Sequence, residues 1–155
     1  MIASLAVILV LLVACGGGTA PESSTTEKPK SMVSDEPAAP ATDGKGIGEV
    51  KEVKLNNPLD QELVAKGQGI YDLKCSACHK LTDQRVVGPG WKGITERRKP
   101  EWIMNMITNV DVMLEQDPEA QKMLEECLTR MPNQNMTIDD ARAVLEFMYK
   151  NDGKS

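Results

Sequence analysis

One run of five residues, CSACH at positions 75–79, constrains this chain more than any other feature of its sequence. Two thiols at this spacing can form thioether bonds to the two vinyl groups of one porphyrin, and the adjacent imidazole then falls beneath the iron. A zinc site needs about four nitrogen or sulfur ligands, but the chain holds only two further cysteines and no second histidine. A thioredoxin-like redox pair belongs beside a βαβ pattern, which is absent. The run therefore predicts one covalent haem on Cys75 and Cys78, with His79 as an iron ligand.

The composition agrees with a large apolar cofactor. Aromatic residues are only 3% of the 155-residue chain, although aromatic side chains normally contribute much of a buried core. A haem would supply the missing apolar area. The formal net charge of −5 argues against nucleic-acid binding, which needs a clustered basic surface.

Short amphipathic helices follow one another from about Glu49, and no convincing strand interrupts them, so the predicted fold class is all-α. Asn57-Pro58 predicts the cap and first turn of a helix that runs to about Leu73. Pro100 and Asp117-Pro118 predict the starts of a second and a third helix. Thr137 to Asp140 resembles a capping box that opens the last helix. The predicted inner faces are Ile103, Met106, Ile107 and Val110; Ala120, Met123, Leu124, Cys127 and Leu128; and Ala141, Val144, Leu145 and Met148.

The sole histidine limits the second iron ligand to a methionine, another side chain, or nothing. Met131, followed by Pro132, is the best candidate, because it lies in a non-helical stretch where a side chain can be aimed at a fixed iron. Met136 is the alternative, although an apolar residue before a helix commonly packs on its first turn. The sequence therefore predicts Met131 as the second ligand.

The first 15 residues predict a targeting segment. The apolar run Leu5–Ala14 is shorter than the ~20 residues that a membrane span needs, and it suits a signal peptide. Residues 12–15, LVAC, resemble the bacterial lipobox, which implies that Cys15 is acylated after cleavage, outside the cytoplasmic membrane. Of the 33 residues 16–48, 22 are Gly, Pro, Ser, Thr or Ala, a composition typical of a disordered linker. The predicted domain then covers residues 49–155.

From about Leu59 to Lys150 the chain resembles a class I monohaem c-type cytochrome, a helical fold wrapped around one haem. The resemblance is carried by the haem-binding run, by residues 67–71 (GQGIY) with Phe147 on the last helix, and by residues 88–93 (GPGWKG). It implies that Gly67 lets the first and last helices cross closely.

The resemblance also implies roles around the haem. The Pro89 carbonyl should accept a hydrogen bond from His79 and raise the donor strength of the imidazole. Trp91 stands where the family usually has leucine, and Arg97 or Arg98 should meet a haem propionate.

A narrower resemblance covers residues 100–107 and 131–137. Both runs are similar to those of small cytochromes of Bacteroidetes-like bacteria that feed periplasmic reductases, sometimes nitrous oxide reductase.

These features together predict a lipid-anchored, periplasm-facing electron carrier of the respiratory chain, with no small-molecule substrate. Its expected partners are a donor complex, a terminal oxidase or reductase, and the membrane through the anchor. A peroxidase-like enzyme or a haem-based gas sensor is the alternative, and carbon monoxide spectra would separate the three.

Two features stay open at this stage. Cys127 is interpreted as a small buried apolar residue, with a redox or metal role as the alternative. Residues 74–99 carry a net charge of +5 and residues 101–146 a net charge of −7. This asymmetry indicates either ordinary solvated surface or a haem-attachment side that faces an acidic partner.

Overall fold

The computed structural model describes residues 43–155. The predicted signal segment, the acylated Cys15 and most of the predicted linker lie outside the described residues. No helix in the described part of the chain is long and apolar enough to cross a membrane.

Six α-helices, α1 to α6, make up the described residues, with no β-strand among them. A π-helical turn, Tyr71–Cys75, continues α1 and delivers the first cysteine of the haem-binding run. The all-α prediction is confirmed. The helices are α1 Gln61–Ile70, α2 Ile94–Arg97, α3 Pro100–Thr108, α4 Val110–Gln116, α5 Pro118–Cys127 and α6 Ile138–Asn151.

The predicted starts of α3, α5 and α6 agree with the structure. The Asp117 carboxylate accepts hydrogen bonds from the first turn of α5, and Pro118 occupies its first position. The Thr137 hydroxyl accepts the Asp140 N–H at 3.1 Å at the start of α6. In α5 and α6 the cap satisfies backbone N–H groups that have no partner within the helix, whereas α3 begins at Pro100 without a side-chain cap.

The start predicted for the first helix is wrong. Asp60, not Asn57, caps α1, because its carboxylate accepts the N–H groups of Glu62 and Leu63 at 2.9 and 3.1 Å. Both residues precede an apolar periodic segment, and only the position of the hydrogen bonds separates them.

Two positions on the predicted inner faces also differ. Val110 is fully buried but belongs to α4, because α3 ends at Thr108 and Asn109 leaves the helical conformation. Leu128 is 89% exposed, since it adopts a left-handed conformation that ends α5 and turns its side chain away from the stripe.

The largest helix–helix contact joins α1 and α6. Gly67 makes this close crossing possible, because a Cβ atom there would collide with the backbone carbonyl of Ala143 and press on Phe147. The ring of Phe147 also packs against Tyr71, with centroids 5.6 Å apart. The crossing places the end of α1 against the last helix, and the π-helical turn that ends at Cys75 continues directly from it.

The last residues of the predicted linker belong to the packed domain. The side chain of Asn105, fully buried on α3, accepts the Val50 N–H at 3.1 Å and donates to the carbonyls of Val50 and Lys45 at 2.9 and 3.0 Å. Asn109 donates to the carbonyl of Ile47 at 3.1 Å. These two side chains hold an N-terminal arm, residues 45–53, although residues 45–48 belong to the linker predicted to be disordered.

Candidate functional site

An open cleft beside the CSACH run is the candidate site. It encloses about 940 Å³ of empty space, counting its open mouth. Nearly all of its walls are apolar, as expected of a pocket for a large hydrophobic group. The helical residues that line it include Ile94, Trp102, Ile103, Met106, Ile107, Leu114, Met123, Leu124 and Met148.

His79 lies in one wall of the cleft, and its ring is held from two sides. Its Nδ1 is 2.9 Å from the carbonyl oxygen of Pro89, and a carbonyl can only accept, so Nδ1 carries the proton. The absence of a side chain on Gly88 lets the loop approach the ring closely. Burial lowers the pKa of His79, while the Pro89 carbonyl opposes this shift. The result is a neutral imidazole whose Nε2 lone pair can bind a metal.

An aromatic cluster supports this wall. Trp91 is buried at the cleft and lies 5.7 Å from the His79 ring and 4.9 Å from the Tyr71 ring, measured between centroids. The Tyr71 hydroxyl donates to the backbone carbonyl of His79 at 2.8 Å. Trp91, in the position where leucine was expected from the resemblance, therefore joins the histidine to the α1–α6 crossing.

Cys75 and Cys78 both precede the histidine in the sequence, and Cys78 lines the cleft. Burial raises the pKa of the Cys75 thiol to about 11, whereas the active thiol of a thioredoxin-like pair has a lowered pKa. The described residues contain no group of three or more His, Cys, Asp or Glu side chains that could hold a metal ion. The arrangement favours neither of the alternatives weighed against haem attachment.

Met131 supplies a thioether to the cleft from the loop between α5 and α6. Met136 packs against the hydrophobic core and is not among the residues that line the cleft. Other cleft methionines lie on helices and form part of its apolar walls. Of the two loop methionines, the structure brings only Met131 into the same cavity as His79.

The basic residues around the cleft differ from those expected. Arg97 does not line it and instead donates to the Lys92 carbonyl at 2.7 Å. Arg98 pairs with Glu119 at 2.9 Å and stacks over the Trp102 ring. The arginine that does line the cleft is Arg130, which sequence reasoning missed although it directly precedes Met131.

Cys127 also lies elsewhere than expected. It is half-buried and lines the cleft near the end of α5, rather than being enclosed in the helix core. Its thiol therefore contributes to the wall of the cavity.

Two of three comparisons with known proteins match this chain to cytochrome c. A family model described as Cytochrome c matches residues 64–152. The search of curated proteins found no significant match. A solved structure, cytochrome c from Rhodothermus marinus, is 33% identical with a TM-score of 0.68, over 71% of this chain and 94% of that one. An engineered form, Rma TDE, is 32% identical with a TM-score of 0.67, over 72% and 96%. A third structure is the same engineered protein bound to a carbene intermediate, at 31% identity and a TM-score of 0.64.

Proposed function

Because this chain belongs to the cytochrome c family, it is a haem electron carrier with covalently bound haem c, and we propose that His79 and Met131 are the iron ligands. Cys75 and Cys78 then hold the two vinyl-derived thioethers. The observation that carries this proposal is one apolar cleft lined by an imidazole with a fixed tautomer and by a single loop methionine.

The residues of the cleft suit this group. The haem supplies reversible one-electron exchange at its iron. The apolar walls would exclude water from the bound group, and the Pro89 carbonyl orients the imidazole and would raise its donor strength toward the iron. A methionine thioether as the second ligand favours the ferrous state and raises the reduction potential. These are the properties of a carrier that accepts and donates electrons without binding a substrate.

An enzymatic role, such as a peroxidase-like activity, has less support. Such an enzyme needs an open iron position and acid–base groups beside it. Met131 closes the position in our proposal, and no Asp or Glu is among the described residues that line the cleft.

The two loop methionines give the direct test. Met131→Ala should abolish the sulfur-to-iron charge-transfer band and lower the reduction potential, whereas Met136→Ala should keep both. The measurements are visible spectroscopy and potentiometric titration of the haem-loaded proteins. Loss of the band in Met136→Ala alone would make the assignment wrong. A ferrous wild-type protein that binds carbon monoxide as readily as Met131→Ala would point to the enzyme or sensor instead.

The cellular setting extends the proposal. The carrier is anchored by lipid on Cys15, faces the periplasm, and passes electrons between respiratory complexes or to a terminal oxidase or reductase, with nitrous oxide reductase as one candidate. The lipobox-like residues 12–15 and the composition of residues 16–42 support this setting. Cys15→Ser should release the protein from membranes with its spectrum unchanged, measured by fractionation. Retention of the variant on membranes would contradict the lipid anchor.

A further inference from the structure

The loop that carries Met131 has almost no backbone support of its own. Residues 129–136 lie between α5 and α6, and no backbone–backbone hydrogen bond among the described residues involves them. An isolated loop without such bonds opens more easily than the helices beside it. Its position must therefore depend on side-chain contacts to the rest of the domain.

One carboxylate makes two of these contacts. Asp111, in the first turn of α4, accepts from Arg130 Nη2 at 3.1 Å through one oxygen and from Asn133 Nδ2 at 3.2 Å through the other. The two donors lie on either side of Met131 in the sequence. The hydrogen bonds from Arg130 and Asn133 hold the pKa of Asp111 below its usual range.

The other acceptors and donors that contact the loop make at most one hydrogen bond each. Within the loop, the Asn135 N–H donates to Asn133 Oδ1 at 2.8 Å. The Lys74 ammonium donates to the Gln134 carbonyl at 3.0 Å, beside the first haem-binding cysteine. Glu115, one turn after Asp111, reaches Arg130 only at 3.7 Å and makes no contact with Asn133. Among the described residues, Asp111 is therefore the acidic group that binds the loop at two points.

We propose that Asp111 is a positioning residue that holds the Met131 loop across the cleft and so keeps the methionine at the iron. This inference rests on the proposed ligation by Met131. Asp111 touches neither the cleft nor Met131, and it acts through Arg130 and Asn133. Each contact is exposed and weak alone. Because both are made to one carboxylate, they restrict the loop before and after Met131 in the chain.

The test is the rate at which imidazole displaces the methionine ligand in the ferric, haem-loaded protein. Asp111→Ala should raise this rate about fivefold. It removes two exposed contacts that together should shift the equilibrium between the closed and the open loop by a factor of about that size. Asp111→Asn should give a smaller increase, because an amide oxygen can still accept from Asn133. The charge-transfer band of Asp111→Ala should also disappear at a lower denaturant concentration than the helical signal.

Glu115→Gln is the matched control, since it removes a charge from the same helix without releasing Asn133. Its rate of imidazole binding should equal that of the wild type.

A double-mutant cycle of Asp111→Ala with Asn133→Ala should be non-additive, because each change breaks the same hydrogen bond between Asp111 and Asn133. Additive effects, or a rate for Asp111→Ala equal to that of Glu115→Gln, would overturn the proposal. A wild-type protein that lacks the charge-transfer band would instead remove the ligation by Met131 on which it rests.

Discussion

The geometry at His79 depends on a residue with no side chain. A Cβ atom on Gly88 would lie 2.8 Å from His79 Nδ1 and 3.0 Å from Nε2, closer than carbon and nitrogen normally approach. Either the ring or the loop would have to move, and the bond from Nδ1 to the Pro89 carbonyl would lengthen. The orientation of the iron ligand thus depends on an unoccupied volume as well as on a hydrogen bond.

We therefore expect Gly88→Ala to destabilise the haem-loaded protein by about 2 kcal/mol, the usual scale of overpacking, and to shift its reduction potential. Denaturant unfolding followed at the main haem absorption band measures the first effect, and potentiometry measures the second. Val86→Ala, on the same loop but with a half-exposed side chain, is the control and should change little. An unfolding midpoint for Gly88→Ala equal to that of the control would contradict the crowding argument.

Site residues were predictable where their role follows from the local sequence. The spacing of Cys75, Cys78 and His79 and the proline after Met131 are local features, so the sequence indicates them directly. Arg130 was missed because lining a cleft depends on how distant helices pack, which no spacing reports. Arg97 shows the opposite error, because it was expected beside the haem and does not line the cleft. Its guanidinium donates to the Lys92 carbonyl, five residues away in the sequence.

Two glycines on α1 separate the effects of helix packing from those of helix propensity. Gly67 faces α6 and has no room for a Cβ, whereas a Cβ on Gly69 would meet no atom within 4 Å. Gly67→Ala should therefore cost about 3 kcal/mol of the free energy of unfolding. Gly69→Ala should add about 0.5–1 kcal/mol, because alanine loses less backbone entropy in a helix.

Chemical denaturation of both variants, followed by circular dichroism, makes this comparison within a single helix. Equal stabilities of the two variants would show that α1 and α6 can separate slightly without cost. Such a result would weaken the explanation given for the position of the haem-binding cysteines.

Helix starts followed the sequence where one residue both caps the helix and sets its first turn, as Asp117 and Thr137 do. The break at Asn109 was missed because apolar residues continue in helical register across it. The ordered arm was missed for a different reason. Lys45 and Ile47 look like linker residues, and they are ordered by the side-chain amides of Asn105 and Asn109, which lie more than fifty residues away in the sequence.

Across the described domain, exposed apolar surface at the cleft is close in the sequence to several basic residues. Val87 lines the cleft and is 40% exposed, and Val86 beside it is 50% exposed. Arg85, next to them, pairs with Glu126 of α5 at 3.0 Å and also donates to its carbonyl at 2.9 Å. Lys80 and Lys92 directly follow His79 and Trp91, two residues of the cleft wall. An apolar rim with nearby lysines suits brief encounters with an acidic redox partner.

The last prediction concerns the rate of electron transfer to such a partner. Steering by exposed charges is screened over about 10 Å at 0.1 M salt, so the second-order rate constant should fall as salt rises. Lys80→Glu with Lys92→Glu should lower it by roughly tenfold at low salt, within the range that steering contributes. Arg85 is left unchanged, because reversing it would break its ion pair with Glu126 as well as change the charge. The ammonium of Lys80 donates to the Ser76 carbonyl at 3.2 Å, so an unchanged visible spectrum must show that the double variant keeps the haem-binding run intact.

Lys51→Glu with Lys54→Glu is the matched control. It changes the net charge by the same amount, but Lys51 is exposed on the N-terminal arm and Lys54 is exposed directly after it. The arm bonds to Asn105 and Glu101, on the other face of α3 from Ile103 and Ile107, which line the cleft.

If only Lys80→Glu with Lys92→Glu slows the reaction, the local charge near the cleft directs docking. If both pairs slow it equally, the total charge matters and the asymmetry is ordinary solvated surface. A rate independent of salt in all proteins would mean that the apolar rim alone governs the encounter.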